Sequence, residues 1–383
     1  MIPHFVHPAC NKTIRTLLDE VVSARSESDP PMLKVMPFLK YPLDDTEAAK
    51  IHGIQVPPTA KYWTLSSTDP AKHGRPRKTY LMATLNMTPD SFSDGAQHNT
   101  LPAAIAYTTA AIASGADIID IGGYSTRPNA DLVSASDEHQ RVLPIIQAIR
   151  AHPMDALRHA LLSVDTFRAD VAEHAVQAGA NCINDVHAFT GPTYPPDAAS
   201  TEHLARMRGV ARALGVPVIL MHSRGDAGAN KDYAAYGGDI VAAVQMELGR
   251  KVDAIVRGVG GVRRWLVLVD PGIGFSKGVE GQLALMRDLG RVTAVPDRDG
   301  GVNPLAGYPM LVGASRKSLL GAVLEEPDVE GTYTGRKTRP QERVWATAAA
   351  VACAVQQGAS VVRVHDVAEM RDVVAVASAI WNR

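Results

Sequence analysis

Short apolar runs alternate with longer segments of helical periodicity from residue 79 to the end of the chain. Eight runs occur in order, namely TYLMATLNM, ADIIDIGG, ALLSVDT, NCINDV, PVILMH, WLVLVDPG, PMLVGAS and SVVRVHD. The segments between them repeat apolar residues at helical spacing, as in LPAAIAYTTAAIASG and RADVAEHAVQAG. Strands that alternate with helices are parallel and are joined by helical crossovers. The pattern therefore predicts eight strand–helix units.

Eight units is the number that closes a (β/α)₈ barrel of the TIM type. The alternative is a doubly wound open sheet, which usually carries a GxGxxG turn after its first strand, and this chain has no such turn. Glycines end several of the predicted helices before the next strand begins. We therefore predict an α/β fold, with a (β/α)₈ barrel over residues 76–383. The helix-ending glycines are Gly115, Gly179, Gly215 and Gly358.

Residues 1–75 have a different composition. Stretches such as SARSESDPPM and QVPPTAK are rich in Pro, Ser and charge, and only KTIRTLLDEVV has a helical pattern. This composition predicts an extension or linker without a core of its own.

The charge balance limits the class of partner. The 383-residue chain has 39 Lys and Arg residues against 40 Asp and Glu, a formal net charge of −1, and no basic block. Non-specific nucleic-acid binding requires a broad cationic surface, so we expect no nucleic-acid partner. No apolar run approaches the roughly 20 residues that span a bilayer, so we expect no membrane partner.

The cysteines indicate a reducing compartment. Cys10, Cys182 and Cys353 are far apart and form neither a CxxC pair nor a disulfide framework. The N-terminus has no continuous apolar segment of a signal peptide, and its acidic residues argue against a transit peptide. We expect an intracellular protein, in the cytoplasm or mitochondrion.

Polar residues occur at the carboxyl end of every predicted strand. Active sites of such barrels are built from the loops at those ends, although an Asp at a strand-to-helix junction is often only a helix cap. A polar residue at all eight ends favours a common site. These residues are Asn86, Asp120, Thr126, Arg127, Asp165, Asn184, Asp185, His222, Asp270, Ser315, Arg316, Lys317, Arg363 and His365.

Four of these residues suggest a planar, nitrogen-rich heterocycle as ligand. Asp165, Asn184 and Asp270 can accept hydrogen bonds from ring N–H groups, and Lys317 can donate to a ring carbonyl oxygen. Buried carboxylates are costly unless they are hydrogen-bonded or paired, so a donor-rich ligand would stabilise them. The alternative is a structural Asp–Lys pair in the barrel mouth.

A second group suggests a pyrophosphate. It consists of Arg127, Arg316, Arg363 and His365. Arg binds phosphate oxygens bidentately, and loops after strands 7 and 8 are the usual phosphate site of a barrel. Asn86 would add an oxygen ligand for Mg²⁺, which takes one or two protein oxygens besides water and phosphate. Solvated salt bridges are the alternative for Arg127 and Arg363.

Other reaction classes lack their residues. No His or Cys cluster has zinc-ligand spacing, and no Ser or Cys lies on a GxSxG elbow. GGYSTRP is rich in glycine but lacks the spacing of a P-loop. A transfer driven by the departure of a stabilised pyrophosphate fits better than covalent catalysis.

Taken together, the motifs resemble dihydropteroate synthase over the whole predicted barrel. They are LNMTPDSFSDG, DIGGYSTRP, SVDT, IND, LMH, DPGIGFSK, VGASRKS and VRVHDV. The resemblance implies a transferase of folate biosynthesis that joins 6-hydroxymethyl-7,8-dihydropterin diphosphate to p-aminobenzoate. The products are 7,8-dihydropteroate and pyrophosphate, Mg²⁺ is the expected cofactor, and a homodimer is expected.

The resemblance also implies roles for individual residues. Catalytic positions match Asp270, Lys317 and Arg363. Pterin-binding positions match Asp165, Asn184, Met221, Asp270 and Lys317. Pyrophosphate positions match Asn86, Thr126, Arg127, Arg363 and His365, with Asn86 also the metal ligand. The p-aminobenzoate site and its flexible loops match Asp90, Phe92, Pro128, Phe275, Lys277 and Ser315.

The chain departs from the family pattern at two places. Tyr124 stands where bacterial members usually have Glu, and we expect it to affect loop packing. His187 and Phe189 replace a commonly Gly-rich continuation of the fourth loop, where they could alter contacts to the pterin. In addition, VHPACNKTIRTLLDEV is similar to the end of a hydroxymethyl-dihydropterin pyrophosphokinase, so residues 1–75 could be the remnant of a preceding kinase domain in a multifunctional enzyme.

Two alternatives remain from sequence. Another pterin-binding barrel, such as a methyltetrahydrofolate methyltransferase, would share the Asp–Asn–Asp pattern but needs no pyrophosphate site. A non-catalytic scaffold barrel would be expected to lose Asn86, Arg316, Lys317 or Arg363, and all four are present.

Overall fold

The computed structural model describes residues 79–88, 100–125, 133–257, 260–296 and 301–381. The predicted extension over residues 1–75 lies outside the described residues, as do Asp90, Phe92, Thr126, Arg127 and Pro128. Eight strands alternate with helices along the described chain. The strands are β1 (Tyr80–Asn86), β2 (Ile118–Gly122), β3 (Leu161–Asp165), β4 (Cys182–Asp185), β5 (Val218–Met221), β6 (Val267–Asp270), β7 (Leu311–Val312) and β8 (Val361–Val364).

The strands form one parallel sheet in the order β6-β5-β4-β3-β2-β1-β8-β7. The two edges of this sheet meet through a parallel bridge between Val269 and Met310. There the Val269 backbone N–H donates to the carbonyl oxygen of Pro309 over 3.0 Å. The ring therefore closes between β6 and β7, which confirms the predicted (β/α)₈ barrel.

Helices surround the barrel and follow the predicted periodicity. The helix predicted from LPAAIAYTTAAIASG, for example, spans Leu101–Ala113, and the one predicted from RADVAEHAVQAG spans Ala169–Gln177. The helices are α1 (Leu101–Ala113), α2 (Ala135–Arg150), α3 (Asp155–Arg158), α4 (Ala169–Gln177), α5 (Ala198–Leu214), α6 (Ile240–Arg257), α7 (Val279–Arg287), α8 (Leu289–Thr293), α9 (Ser318–Glu325), α10 (Val344–Gln356) and α11 (Val367–Trp381). Short 3₁₀ helices cover Ala234–Tyr236, Arg264–Leu266 and Pro340–Arg343.

The predicted helix stops have the backbone geometry that only glycine adopts readily. Gly115, Gly179, Gly215 and Gly358 have φ values of +97°, +121°, +65° and +84°. Because a Cβ is strained in this left-handed region, these glycines end their helices without steric cost.

The alternation of side chains along each strand separates two apolar layers. Outward-facing residues such as Leu81, Ala83 and Leu85 belong to the main core, which packs against the helices. The alternate positions form a second, smaller apolar cluster that lies inside the barrel. This inner floor consists of Met82, Ile118, Cys182, Ile219, Leu268, Leu311 and Val361.

The cysteines that the structure describes are unpaired thiols. Cys182 is buried in the inner floor, and Cys353 is half-buried on α10. Within the described ranges, no helix combines the length and the apolar character needed to traverse a bilayer.

Candidate active site

The candidate site lies directly above the inner apolar floor. Strand side chains repeat every second residue on one face, so the residue two positions beyond each floor residue also points inward. These second positions are mostly polar and lie toward the carboxyl ends of the strands. The change from apolar to polar along the same face forms the bottom of a polar pocket. The residues two positions beyond the floor are Thr84, Asp120, Asn184, Met221, Asp270, Gly313 and Arg363.

Arg363 connects two buried carboxylates across this pocket. Its Nε donates to Asp120 Oδ2 over 2.6 Å, and its Nη2 donates to Asp165 Oδ2 over 3.0 Å. Asn184 Nδ2 donates to the same Asp120 oxygen over 3.1 Å. We call these four residues, Asp120, Asp165, Asn184 and Arg363, the carboxylate–arginine cluster. It brings together three of the residues that the sequence assigned to pterin or pyrophosphate.

The cluster has strongly shifted acid–base properties. Burial and the neighbouring Asp120 carboxylate raise the pKa of Asp165, and Arg363 opposes that shift. Burial alone would lower the pKa of Arg363, but attraction to Asp120 and Asp165 outweighs it and raises that pKa. The guanidinium therefore stays charged and is what allows two carboxylates to lie in one pocket.

Some carboxylate oxygens of the cluster have no hydrogen-bond donor in the part of the chain that the structure describes. Among the described residues, Asp120 Oδ1 and Asp165 Oδ1 are buried without a hydrogen-bond partner, as are the hydroxyl oxygens of Thr84 and Ser163, the neighbours of Asp120 on the adjacent strands. Buried polar atoms are nearly always paired in proteins, so these unpaired acceptors at the mouth of the barrel are available to a donor-bearing ligand. Asp165 in particular can accept from ring N–H groups.

Asp120 is the functional residue that sequence reasoning left without a role. The sequence shows Asp120 at a strand end, but its contact with Arg363 joins residues 243 positions apart. The signal available in the sequence is the Asp within the apolar run ADIIDIGG, which the structure places in register between Thr84 and Ser163 on neighbouring strands. An inward Asp in the middle of an otherwise apolar strand requires a buried partner.

Asp270 and Lys317 lie on the opposite wall of the pocket, at the end of β6 and after β7. Asp270 Oδ1 accepts from the Gly272 backbone N–H over 2.7 Å. Burial raises the pKa of Asp270, and the nearby Lys317 amine opposes this. Burial lowers the pKa of Lys317 to about 8, against the attraction of Asp270. Lys317 Nζ donates to the carbonyl oxygen of Ile273 and lies 4.7 Å from the centre of the Phe275 ring.

Lys277 lies behind this wall, 2% exposed. Its Nζ is 2.9 Å from His222 Nδ1 and donates to the carbonyl oxygens of Gly272 and Phe275 over 2.9 and 3.0 Å. Burial lowers the pKa of Lys277 to about 7. The sequence assigned Lys277 to the p-aminobenzoate region; that role stays a prediction, and the described contacts of Nζ are all with the protein.

The residues after β7 and β8 are joined by hydrogen bonds. Ser315 Oγ accepts from the His365 backbone N–H over 3.2 Å and lies 3.0 Å from His365 Nδ1. Arg316, read from sequence as a phosphate ligand, donates through Nε to Asp366 Oδ2 over 3.0 Å. Its guanidinium thus has a protein carboxylate as partner in the eighth loop, and its role as a phosphate ligand stays a prediction.

Asn86 and Met221 complete the described positions. A Cβ added to Gly122 would lie 3.7 Å from Asp165 Oδ2 and 3.8 Å from Asn86 Oδ1, so both oxygens approach the same side of β2. Met221 ends β5 in register with Asp270 and is 3% exposed. The predicted pterin, phosphate and arylamine positions that the structure describes therefore surround one barrel mouth.

The two departures from the family pattern lie outside the carboxylate–arginine cluster. Tyr124 and His187 both pack edge-on against Phe167, with ring centres 5.3 and 5.4 Å away. In the fourth loop, Asp185 accepts from the backbone N–H groups of His187 and Phe189 over 2.7 and 3.0 Å. These substitutions therefore build the packing between the second, third and fourth loops.

The chain is similar to proteins of known family over this same region. The family model described as pterin binding enzyme matches residues 82–365. Dihydropteroate synthase of Synechocystis is 40% identical over 80% of this chain and 91% of its own length. Two longer relatives are matched over less of their length. They are folic acid synthesis protein fol1 of Pneumocystis carinii, 36% identical over 79% of this chain and 36% of its own, and a mitochondrial folate synthesis bifunctional protein of Arabidopsis thaliana, 37% identical over 80% and 50%.

Solved structures agree with these relatives. Xanthomonas albilineans dihydropteroate synthase with 4-aminobenzoic acid has a TM-score of 0.62 and 36% identity, and covers 79% of this chain and 93% of its own. Burkholderia cenocepacia dihydropteroate synthase complexed with 7,8-dihydropteroate has a TM-score of 0.60 and 34% identity, and covers 79% and 91%. With its barrel, its inward Asp–Asn–Asp set and these relatives, the chain belongs to the dihydropteroate synthase family of pterin-binding enzymes.

Proposed function

We propose that this chain condenses 6-hydroxymethyl-7,8-dihydropterin diphosphate with p-aminobenzoate, giving 7,8-dihydropteroate and pyrophosphate. The observation that carries the proposal is the buried, unpaired Asp165 Oδ1 beside Asn184 and Arg363. It offers an acceptor to ring N–H donors, and the similar Burkholderia enzyme is described as complexed with 7,8-dihydropteroate. The chain's relatives are named for this reaction, and none of the residues in the pocket favours a methyltransferase instead.

The pterin would lie across the barrel mouth between the two walls. Asp165 and Asn184 would bind one edge of the ring, while Asp270 and Lys317 would bind another. A neutral nitrogen heterocycle offers both donors and acceptors, which this mixed set of carboxylate, amide and amine groups can satisfy. Its burial would relieve the unpaired Asp165 oxygen.

The bond that breaks joins the pterin methylene carbon to the diphosphate oxygen. Its ionisation leaves positive charge delocalised into the pterin, and the Asp270 carboxylate is proposed to stabilise that charge. The electron pair leaves with the pyrophosphate, towards which Arg363 and His365 would direct positive charge and hydrogen bonds. Thr126 and Arg127 are proposed to contact the same leaving group from the second loop.

Mg²⁺ is proposed as the cofactor, and the residues present fit a weakly held ion. The described residues contain no group of three His, Cys, Asp or Glu side chains that would cage a metal. Asn86 supplies one amide oxygen at the end of β1, which suits an ion that keeps most of its waters and takes the rest of its ligands from a diphosphate. When bound, the ion would neutralise charge on the leaving group.

The arylamine would attack the methylene carbon from the side of the seventh loop. Phe275 and the Lys317 amine lie together there, and Ser315 follows β7. The amine of p-aminobenzoate is already neutral at pH 7, so it needs no strong base before attack. Asp90, Phe92 and Pro128 are proposed to close over this substrate from the first and second loops.

Assembly and compartment are also proposals. Trp345 on α10 is 81% exposed and Ile380 on α11 is 55% exposed, and large exposed apolar side chains are typical of contacts between subunits. We expect a homodimer through these two helices, with Trp345→Glu shifting sedimentation toward monomer. The unpaired Cys182 and Cys353 suit a reducing intracellular compartment, cytoplasmic or mitochondrial.

Pterin binding tests the proposed orientation directly. Asp165→Ala removes the acceptor, and titration calorimetry with the dihydropterin should show binding weakened by about ten- to a hundredfold, as expected for a charged hydrogen bond. Unchanged affinity in a variant that retains its circular dichroism spectrum would refute the role of Asp165.

A further inference from the structure

We propose that Lys277 is a positioning residue that fixes the loop carrying Phe275 and does not bind the carboxylate of p-aminobenzoate. This inference rests on the proposed function for its substrate and on the geometry of the segment from Asp270 to Lys277 for its mechanism. We call the residues Arg224, Glu247, His222 and Lys277 the lysine network.

The first argument is the use of every ammonium hydrogen. A lysine ammonium has three donors and no acceptor. Lys277 Nζ has three protein acceptors, His222 Nδ1 at 2.9 Å and the carbonyl oxygens of Gly272 and Phe275 at 2.9 and 3.0 Å. With the side chain 2% exposed, no hydrogen is left for a substrate carboxylate.

The second argument is that the rest of the network prepares His222 as an acceptor. His222 Nε2 is 2.9 Å from Glu247 Oε2, and Arg224 Nε donates to the same oxygen over 3.0 Å. Because the ionised Glu247 can only accept, His222 carries its proton on Nε2 and its Nδ1 is left as an acceptor. Glu247 on helix α6 therefore sets the His222 tautomer that can accept a hydrogen bond from Lys277.

The third argument is the position in the chain of the two carbonyl groups that Lys277 contacts. Gly272 and Phe275 lie at the two ends of a tight turn, so a single amine holds both ends. The turn is also held by Asp270, whose Oδ1 accepts from the Gly272 N–H. The Phe275 ring then faces the Lys317 amine at 4.7 Å from its centre. The lysine network is thus connected to both the pterin wall and the arylamine region.

This geometry predicts that removing the Lys277 amine weakens arylamine binding whether or not the arylamine is charged. Without Lys277 the two carbonyl groups and His222 Nδ1 lose their donor, and the turn can change shape. Phe275 would then pack less well against any aromatic amine. A direct ion pair would instead be lost only for a substrate that carries a carboxylate.

The experiment compares Lys277→Met with wild type on two arylamines of matched shape, p-aminobenzoate and the uncharged p-aminobenzamide. KM for p-aminobenzoate and the inhibition constant of p-aminobenzamide should both rise by a similar factor, about tenfold, the effect of one buried charged hydrogen bond. A rise for p-aminobenzoate alone would overturn the proposal, and so would unchanged constants for both.

A second pair of variants tests the acceptor for Lys277 at His222, which is fully buried behind the pocket. His222→Asn keeps an oxygen acceptor near the position of Nδ1, whereas His222→Leu removes it. KM for p-aminobenzoate should rise in His222→Leu and be largely restored in His222→Asn. Equal constants in both variants would contradict the proposal, and this pair decides the matter if Lys277→Met does not fold.

Hydrogen exchange separates this inference from the proposed reaction. In ligand-free protein, the amide groups of residues 272–277 should exchange faster in Lys277→Met than in wild type, while those of β1 should not change. That result needs no turnover. Absent turnover in wild type would therefore reject the function alone, and unchanged exchange in Lys277→Met would reject the positioning role alone.

Discussion

Arg363 neutralises two carboxylates at once, which makes it a structural residue as well as a candidate ligand of pyrophosphate. Its Nε and Nη2 bind Asp120 and Asp165, and the Arg363 side chain is only 21% exposed. Removing one partner of a buried ion pair leaves uncompensated charge, whereas removing both partners can be nearly neutral. The contribution of Arg363 to catalysis must therefore be measured against its contribution to stability.

A double-mutant cycle separates the contribution of Arg363 to catalysis from its contribution to stability. Arg363→Ala should lower the free energy of unfolding by about 3–5 kcal/mol, because Asp120 and Asp165 would then repel each other without a cation. Adding Asp120→Asn should restore part of that stability but not the turnover, since the leaving group still lacks the guanidinium. Urea unfolding followed by fluorescence measures the cycle, and strictly additive effects of the two substitutions would argue against the pairing.

The dependence of turnover on Mg²⁺ can also be tested at the scale of a single residue. Removing divalent ions with EDTA should abolish turnover, and Mg²⁺ should restore it, because the leaving group carries the charge that the ion neutralises. Asn86→Ala should raise the Mg²⁺ concentration needed for half-maximal turnover without changing thermal stability by more than a few degrees. Full turnover in EDTA would remove Mg²⁺ from the mechanism.

At the scale of elements, the segment after β6 has the most demanding backbone in the pocket. Gly272 has φ +72°, and a Cβ added there would lie 2.0 Å from the carbonyl oxygen of His222. Four side-chain contacts of Asp270 and Lys277 hold the turn around this glycine or connect it to the lysine network. The sequence DPGIGFSK thus encodes a rigid turn, since only glycine allows the close approach of β5 and the loop.

Substitution at two neighbouring glycines tests this rigidity. Gly272→Ala should destabilise the protein by at least about 2 kcal/mol, because the backbone is left-handed and the methyl group meets a carbonyl oxygen. Gly278 is the matched control: no atom lies within 4 Å of an added Cβ, and its φ is −69°. Gly278→Ala should cost less than about 1 kcal/mol, the usual range for Gly to Ala at a helix N-cap. Similar melting temperatures for the two variants would contradict the account of the turn.

For the whole molecule, the sequence predicted the barrel and most of the pocket because both follow from periodicity. Eight apolar runs specify the strands, and the two-residue repeat places Asp165, Asn184 and Asp270 on the inner face. Periodicity in the sequence does not show which side chains of distant elements contact each other. The pairing of Asp120 with Arg363 and the role of Glu247, in the middle of a helix, depend on packing that only the folded chain defines.

Stability of the whole barrel should fall in acid partly through two buried histidines. Burial lowers the pKa of both His187 and His222 to about 3. In the unfolded chain histidine binds its proton near pH 6.5, so below that pH the unfolded state binds more protons and stability falls towards pH 3. Each histidine contributes a slope of up to about 1.4 kcal/mol per pH unit.

The substitution His187→Asn isolates one of these contributions. Asn can keep the hydrogen bond that His187 Nδ1 makes with Ser223 Oγ over 3.2 Å, and it does not titrate. Between pH 6 and 4, the slope of unfolding free energy against pH should decrease by about 1.4 kcal/mol per unit relative to wild type. Parallel curves for the two proteins would show that His187 is not buried in its neutral form.

The central claim is that this barrel joins a dihydropterin to an arylamine with loss of pyrophosphate. The most direct measurement incubates the purified chain with 6-hydroxymethyl-7,8-dihydropterin diphosphate, p-aminobenzoate and Mg²⁺, and quantifies both products. We predict 7,8-dihydropteroate and pyrophosphate in equal amounts, with Asp165→Ala inactive under the same conditions. A folded, purified chain that forms no dihydropteroate, or forms it equally well without Asp165, would contradict the account.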